Sequence, residues 1–358
     1  MSNYIEIGEK IAFHPGYYIE EIVEYSGLTQ EDYAKRLDTT PKNLSELING
    51  NQRLSIDMAS KLSRLMGTSV EYWLNLQCAY DSLIGERNSQ EVLREDREVL
   101  RLLRYSDFRD LFGLPDLPRR ISEQIYKLRE LFEVSSLTVL RKPSLAVNFR
   151  RSRNELNEQN IVRTNAMIQI AINRALEMET EKFNEEKFRE AIDYGLTLTT
   201  KHGEFLPLLR ERFGEAGVAF VVLPNLPGSK INGATKKLEN KIMLMVSDRN
   251  LHSDIFWFIL FHEIGHILAK DHGVSYAGKR GDKETKADVY AKNKLIPQEK
   301  YEHFVSKKNF TVDAIIGFAK EIDRDPGLVL GRLRKDEYVP YDSVAHNQLV
   351  VNYKVVPA

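Results

Sequence analysis

Four side chains in the C-terminal half have the types and spacing for metal chemistry. His262-Glu263-Ile264-Gly265-His266 sets two imidazoles four residues apart with an acid beside the first. On a helix that spacing puts both rings on one face, one turn apart, where they can hold a single divalent ion. Glu263 then lies close enough to take a proton from a water held there. A third ligand is required, and Glu284-Thr285-Lys286-Ala287-Asp288 offers two carboxylates one helical turn apart. Glu284 is assigned to the metal and Asp288 to orienting a ligand imidazole from behind. The single cysteine, Cys78, can form neither an internal disulfide nor a thiolate cluster, so the expected ion, Zn²⁺, is held by His and carboxylate groups alone. His14 belongs to an N-terminal turn, His202, His252, His303 and His346 have no ligand-spaced partner, and His272, Tyr276 and Tyr290 are candidates for stabilising a tetrahedral oxyanion.

A second set of residues, near the N-terminus, has the pattern of a DNA reader. Thr29 is placed to cap a helix from Gln30 to Leu37, with Glu31 and Asp32 in its first turn and small Ala34 where a second helix must come close. Thr40 and Pro41 open the next helix, whose core stripe is Leu44, Leu47 and Ile48. That arrangement turns Thr40, Pro41, Lys42, Asn43 and Ser45 toward the bases of a major groove, and Gln30, Asn49 and Arg53 toward phosphates that set the register on double-stranded operator DNA.

The elements that must position both sets follow from the punctuation of the chain. Residues 16–85 break at Gly27-Leu28-Thr29, Asp38-Thr39-Thr40-Pro41, Asn49-Gly50-Asn51 and Gly67-Thr68-Ser69, which predicts five short helices. From 86 to about 164 the pattern is helical, charged and interrupted by Pro115, Pro118 and Pro143, as expected of a connecting and supporting region. Beyond it, Val218-Ala219-Phe220-Val221-Val222-Leu223 and residues 241–246 read as strands, the second followed by the metal-motif helix. The expected fold is α+β and mostly helical, with a five-helix domain over 1–85, a helical linker over 86–164, and an α+β domain with a C-terminal extension over 165–358. If the strand at 241–246 borders the cleft, it is a candidate for pairing with a substrate peptide; the other reading is a purely structural edge strand.

With 358 residues the chain exceeds one growing core. The formal net charge of −1 marks no polyanion binder as a whole, and residues 1–85 carry only seven Lys and Arg against twelve Asp and Glu. Basic groups there must gather on one face, away from acids such as Glu20, Glu21 and Glu24. Residues 141–153, with five Lys and Arg and no acid, are a second candidate contact for DNA or a partner. The N-terminal residues have no basic segment followed by an apolar run, and the longest apolar stretch, residues 255–261, is too short to span a bilayer, so a cytoplasmic protein without membrane contact is expected.

Residues 14–81 resemble the HigA-type antitoxin branch of the XRE helix-turn-helix family. His14-Pro15-Gly16, Leu28-Thr29-Gln30, Ile48-Asn49-Gly50 and Tyr72-Trp73-Leu74-Asn75-Leu76-Gln77 carry that resemblance, and Asp38 stands where the family often has Gly. It implies a homodimer on a palindromic operator and a toxin as a partner. Residues 165–300 resemble the ImmA/IrrE metallopeptidase family through the His262 to His266 motif, through Glu284-Thr285-Lys286-Ala287-Asp288-Val289-Tyr290-Ala291 and through Leu295-Ile296-Pro297. Lys286 stands where a second Glu is common. That likeness implies a zincin-like, gluzincin-type zinc endopeptidase whose substrate is a peptide of a repressor protein or of this chain itself. The alternative expectation is a non-catalytic repressor or antitoxin whose C-terminal domain only senses a ligand or binds a toxin.

Overall fold

The computed structural model describes residues 3–142, 157–249, 252–272, 274–276 and 282–355, with 274–276 as backbone alone. It divides into two compact units, Met1–Glu95 and Asp96–Ala358.

The first unit opens with an antiparallel hairpin, β1 (Tyr4–Ile7) and β2 (Lys10–Phe13), which sequence reading does not foresee. Five helices follow: α1 (Pro15–Ser26), α2 (Gln30–Arg36), α3 (Pro41–Ile48), α4 (Ile56–Met66) and α5 (Val70–Leu103). Each of the first four starts on a side-chain cap. His14 Nδ1 accepts from Gly16 N, Thr29 from Asp32 N, Thr40 from Asn43 N and Ser55 from Met58 N. Asp38 takes the left-handed turn between α2 and α3 at φ 49°, a conformation its short polar side chain tolerates better than most. One buried cluster gathers Ile19 of α1, Ala34 and Leu37 after it, Leu44 and Leu47 of α3, Leu62 of α4 and Trp73 of α5. A Cβ on Gly16 would stand 2.0 Å from the Leu47 carbonyl oxygen, so only glycine lets α1 approach the end of α3 this closely.

The second unit begins inside α5, at Asp96, where the sequence places its domain boundaries at 85/86 and 164/165. Asp96 is wholly buried and accepts bonds from Arg129 Nε, Ser136 Oγ and Leu137 N at 2.7–2.8 Å. Arg163, 1% exposed, donates to the carbonyls of Leu102 and Leu103 and to Asp107. The Asp96 bonds hold residues 96–137 together, while Arg163, which also donates to the Pro227 carbonyl, and Asn165, which donates to the carbonyls of Leu140 and Lys142, link residues 96–142 to the rest of the second unit, so that much of the expected linker packs with it. It contains α6 (Tyr105–Phe112), α7 (Ile121–Phe132), a 3₁₀ turn (Leu137–Arg141), α8 (Glu158–Glu177), α9 (Glu185–Thr197) and α10 (Phe205–Glu215). Pro143 and most of the basic stretch 141–153 lie outside the described residues.

A four-stranded sheet follows, with β3 (Val218–Leu223), β4 (Ile231–Lys237), β5 (Ile242–Ser247) and β6 (Val274–Tyr276) in the order β3-β5-β4-β6. β3 and β5 are parallel, and β4 is antiparallel to both β5 and β6. Every residue of β3 and β5 is buried, which requires cover on both faces. Val218, Phe220, Val222, Ile242, Leu244 and Val246 join the large cluster with Trp257 and Phe261 of α11 (Ser253–Leu268), and α8 packs on β3 and β5. The strand expected at 241–246 is therefore internal, paired on both edges, and has no free edge to offer a peptide; β6 is an outer strand of the described sheet. The chain continues through α12 (Asp282–Leu295), α13 (Gln298–Ser306), α14 (Val312–Glu321) and α15 (Pro326–Lys335). No helix of the described residues is long and apolar enough to cross a membrane.

Candidate metal centre and DNA-reading helix

α11 is buried along most of its length, since its residues are apolar on nearly every face, and it is sandwiched between the sheet and α12. Gly265 makes that approach feasible: a Cβ there would meet Ala287 Cα and Tyr290 Cδ1 at 3.2 Å. Close packing of the two helices brings Glu284 beside the motif. His262 Nε2 lies 3.1 Å from His266 Nε2, and Glu284 Oε2 lies 3.2 Å from the first and 3.8 Å from the second. All three residues are buried, at 6–8% exposure.

Two imidazoles and one carboxylate, each offering an atom within 4.8 Å of the others, form a candidate metal-binding group. Bonds of about 2.0–2.1 Å at tetrahedral angles put neighbouring donors about 3.3 Å apart, so these separations fit one zinc-sized ion.

Asp288, one turn along α12 from Glu284, bonds His262 Nδ1 at 2.8 Å. This bond takes the proton on Nδ1, so that loss of the other ring proton frees the Nε2 lone pair toward the other two ligand atoms. Burial pushes the His262 imidazole down, but the bonds to Asp288 and Glu284 and the charge of Glu263 outweigh it, raising the group to about 9.

Glu263 is wholly buried, and β4 runs directly over it: a Cβ on Gly233 would sit 2.6 Å from Glu263 Cγ and Oε1. The pairing of β4 with β6 shifts register between Ile231 and Gly233 at this place. Gly233 was invisible to sequence reading, where a glycine inside a strand signals close approach without naming what approaches. Asp271 was missed as well. It stands 3.7 Å from His266 Nδ1, beyond hydrogen-bonding reach, and accepts from Lys283 Nζ at 2.6 Å. An acid five residues past the second histidine, folded back by the bond from Asp271 N to His266 O, was the available signal.

The oxyanion candidates differ in their surroundings. Burial and the charge of Lys237 hold His272 below the ordinary imidazole range. Tyr290 lays its ring on Gly265, and burial pushes its hydroxyl up to about 12, with Arg189 and Asp193 the charges that act on it. The side chain of Tyr276 lies outside the described residues.

In the first unit, Thr40, Pro41 and Lys42 are exposed at the start of α3, and Lys42 makes no salt bridge among the described residues. Asn43 is half-buried and donates to Thr39 Oγ1 at 2.9 Å. Ser45 Oγ accepts from Asn49 Nδ2 at 3.3 Å, so these two polar groups are partly engaged with each other. Gln30 is exposed in the first turn of α2. Arg53 is exposed but bonded to Asp81, whose other oxygen accepts from Gln77 at 2.9 Å, so a phosphate at Arg53 shares its charge with a carboxylate.

Glu20, Glu21 and Glu24 are exposed on α1, a different helix from the proposed reader. Elsewhere, the positive charges of Lys35 and Lys61 are answered by neighbouring acids, Lys35 by Glu31 and Lys61 by Asp57.

A helix-turn-helix family model matches residues 19–73. The chain is 33% identical over 85 residues to virulence-associated protein I of Dichelobacter nodosus, a match that covers 24% of this chain and 79% of that protein. It is 42% identical over 81 residues to virulence-associated protein A' of the same organism, covering 22% and 70%. To the uncharacterized HTH-type transcriptional regulator YddM of Escherichia coli it is 35% identical over 92 residues, covering 25% and 97%. Among solved structures, an addiction module antidote protein of a HigA family from Coxiella burnetii is 29% identical over 24% of this chain and 92% of its own, with a TM-score of 0.22. Through its N-terminal region the chain belongs to the XRE-type helix-turn-helix family of transcriptional regulators.

Proposed function

We propose that this helix-turn-helix regulator carries a zinc-dependent endopeptidase centre in its second unit and hydrolyses a peptide bond of a repressor protein or of the chain itself. The observation behind this reading is the convergence of His262 Nε2, His266 Nε2 and Glu284 Oε2, with Glu263 buried next to them on the same helix. These three side chains would hold the ion, and Asp288 keeps His262 in the required tautomer. A bound zinc supplies Lewis acidity toward a carbonyl and toward water. Glu263, buried beneath β4 beside the ligand pair, accepts the proton of the attacking water and returns it to the leaving amine. On the DNA side, the exposed start of α3 reads the operator, and a homodimer is the proposed bound form.

The test joins metal analysis of the purified full chain with digestion of a proteome-derived peptide library, read by mass spectrometry. One zinc per chain and new peptide ends in the wild type but not in Glu263→Gln are expected. Equal cleavage by both proteins would remove the proteolytic mechanism. Stoichiometric zinc with no cleavage at all would instead leave a non-catalytic regulator, for which a ligand or a toxin is the remaining partner.

A further inference from the structure

A cavity of about 400 Å³ opens among α11, α12 and α15, next to the metal centre but separate from it. Its floor is apolar, made by Ile255 and Phe258 of α11, Leu295 of α12 and Leu328 of α15. Its rim is basic: Lys292 and Lys335 line it and make no salt bridge among the described residues, and Tyr341 stands at the edge. Arg332 also lines it, but its guanidinium is already engaged by the carbonyl of Ile296 and by Gln298 Oε1 and lies 3.8 Å over the Tyr301 ring. Of the acids, Asp254 is held above the ordinary carboxylate range by burial. The other is Asp288, the group bonded to His262 Nδ1. None of His262, Glu263, His266 and Glu284 lines the cavity among the described residues. The Phe258 ring nevertheless lies 6.4 Å, centre to centre, from that of His262.

An apolar floor beneath two ammonium groups with no carboxylate partner among the described residues is the recognition chemistry of an amphipathic anion. The size suits a small molecule, since ligand pockets of roughly 300–1,000 Å³ are usual. We propose that this cavity is an effector pocket for a small amphipathic carboxylate, and that its occupancy tightens the metal centre through Asp288; the second clause rests on the metalloprotein reading above. The physical route is short. Lys292 stands one turn beyond Asp288 on α12, the spacing at which the two side chains can pair, so an anion that engages this ammonium keeps it from drawing Asp288 off His262 and adds negative charge near the cation site. Linkage makes the effect reciprocal: whatever the carboxylate adds to metal affinity, the metal adds to carboxylate affinity.

Octanoate is the probe, titrated calorimetrically into the metal-free full chain, with octan-1-ol as the neutral control. Octanoate should bind the wild type and lose about tenfold or more in affinity in the Lys292→Met, Lys335→Met double variant, as expected for lost bonds to charged groups. The alcohol should bind both proteins alike. In a second arm, zinc affinity is read by competition with a chromophoric chelator. Saturating octanoate should tighten it by about three- to tenfold, below the 10–100-fold that outer partners of metal ligands command. Asp288→Asn should erase that change while octanoate still binds. No octanoate binding, or equal affinity in wild type and double variant, overturns the pocket. Zinc affinity unmoved by octanoate overturns the coupling. A chain that takes up no metal sinks the metalloprotein reading and the coupling with it, and the metal-free titration still decides the pocket.

Discussion

At the scale of single residues, Gly233 and Asp288 are as informative as the motif itself. β4 is flanked on both sides at Gly233, paired in register with Val246 and with Ser275. The strand cannot step aside for a methyl group, so the added atom must push Glu263 away. Gly233→Ala should therefore bind zinc, cost about 1–3 kcal/mol of stability through overpacking, and lose about a hundredfold or more of hydrolysis through a displaced base. Unchanged peptide hydrolysis in this variant would show that Glu263 does not need its present position. Asp288→Ala removes the partner of His262 Nδ1 and should weaken zinc binding by about 10–100-fold, measured by chelator competition. An unaltered zinc affinity would mean that the imidazole is oriented by packing alone.

Single elements set the behaviour of the DNA-reading part. α1 is capped by the neutral ring of His14, whose Nδ1 accepts from Gly16 N and cannot do so once protonated. Burial lowers the pKa of His14, against the raising charge of Asp81 and the Gln52 backbone. A folded value below the ordinary 6.5 means that the unfolded chain takes up the proton first. The stabilising contribution is thus present above pH 6.5 and is lost as the pH falls through the lower folded value. Hydrogen exchange over residues 15–26 should accelerate in that acid window in the wild type, while His14→Asn, whose amide oxygen caps without titrating, should show a flatter profile. A second test addresses α3. Lys42→Ala with Asn43→Ala should weaken operator binding by about 1–3 kcal/mol per lost base contact, with circular dichroism unchanged; retained sequence-specific affinity would point to another helix as the reader.

For the whole molecule, the two tryptophans divide the chain conveniently. Trp73 is buried in the first unit, with its Nε1 donating to Thr68 Oγ1, and Trp257 is buried in the second, donating to Tyr353 OH. In a Trp73→Phe variant the fluorescence belongs to the second unit alone. Zinc at about one hundred times its dissociation constant should stabilise that unit by about 2.7 kcal/mol, and a chelator should reverse the shift. An unfolding transition indifferent to both would mean that no ion binds the folded state.

Local order could be read from the amino acids because it is set by near neighbours. Thr29, Thr40 with Pro41, and Asp38 each have one cheap conformation, and helix starts and a left-handed turn stand where those residues predicted them. Four-residue spacing likewise puts His262 and His266 on one face of any helix, and an apolar run such as Val218 to Leu223 signals a strand. Nothing local says what crosses above Glu263, that residues 242–247 lie inside the sheet rather than at its edge, or that the second compact unit begins at Asp96. Those facts depend on contacts between segments tens of residues apart, such as Gly233 with Glu263 and Asp96 with Arg129. Such contacts are chosen by the packing of the entire core, so only the folded chain decides them.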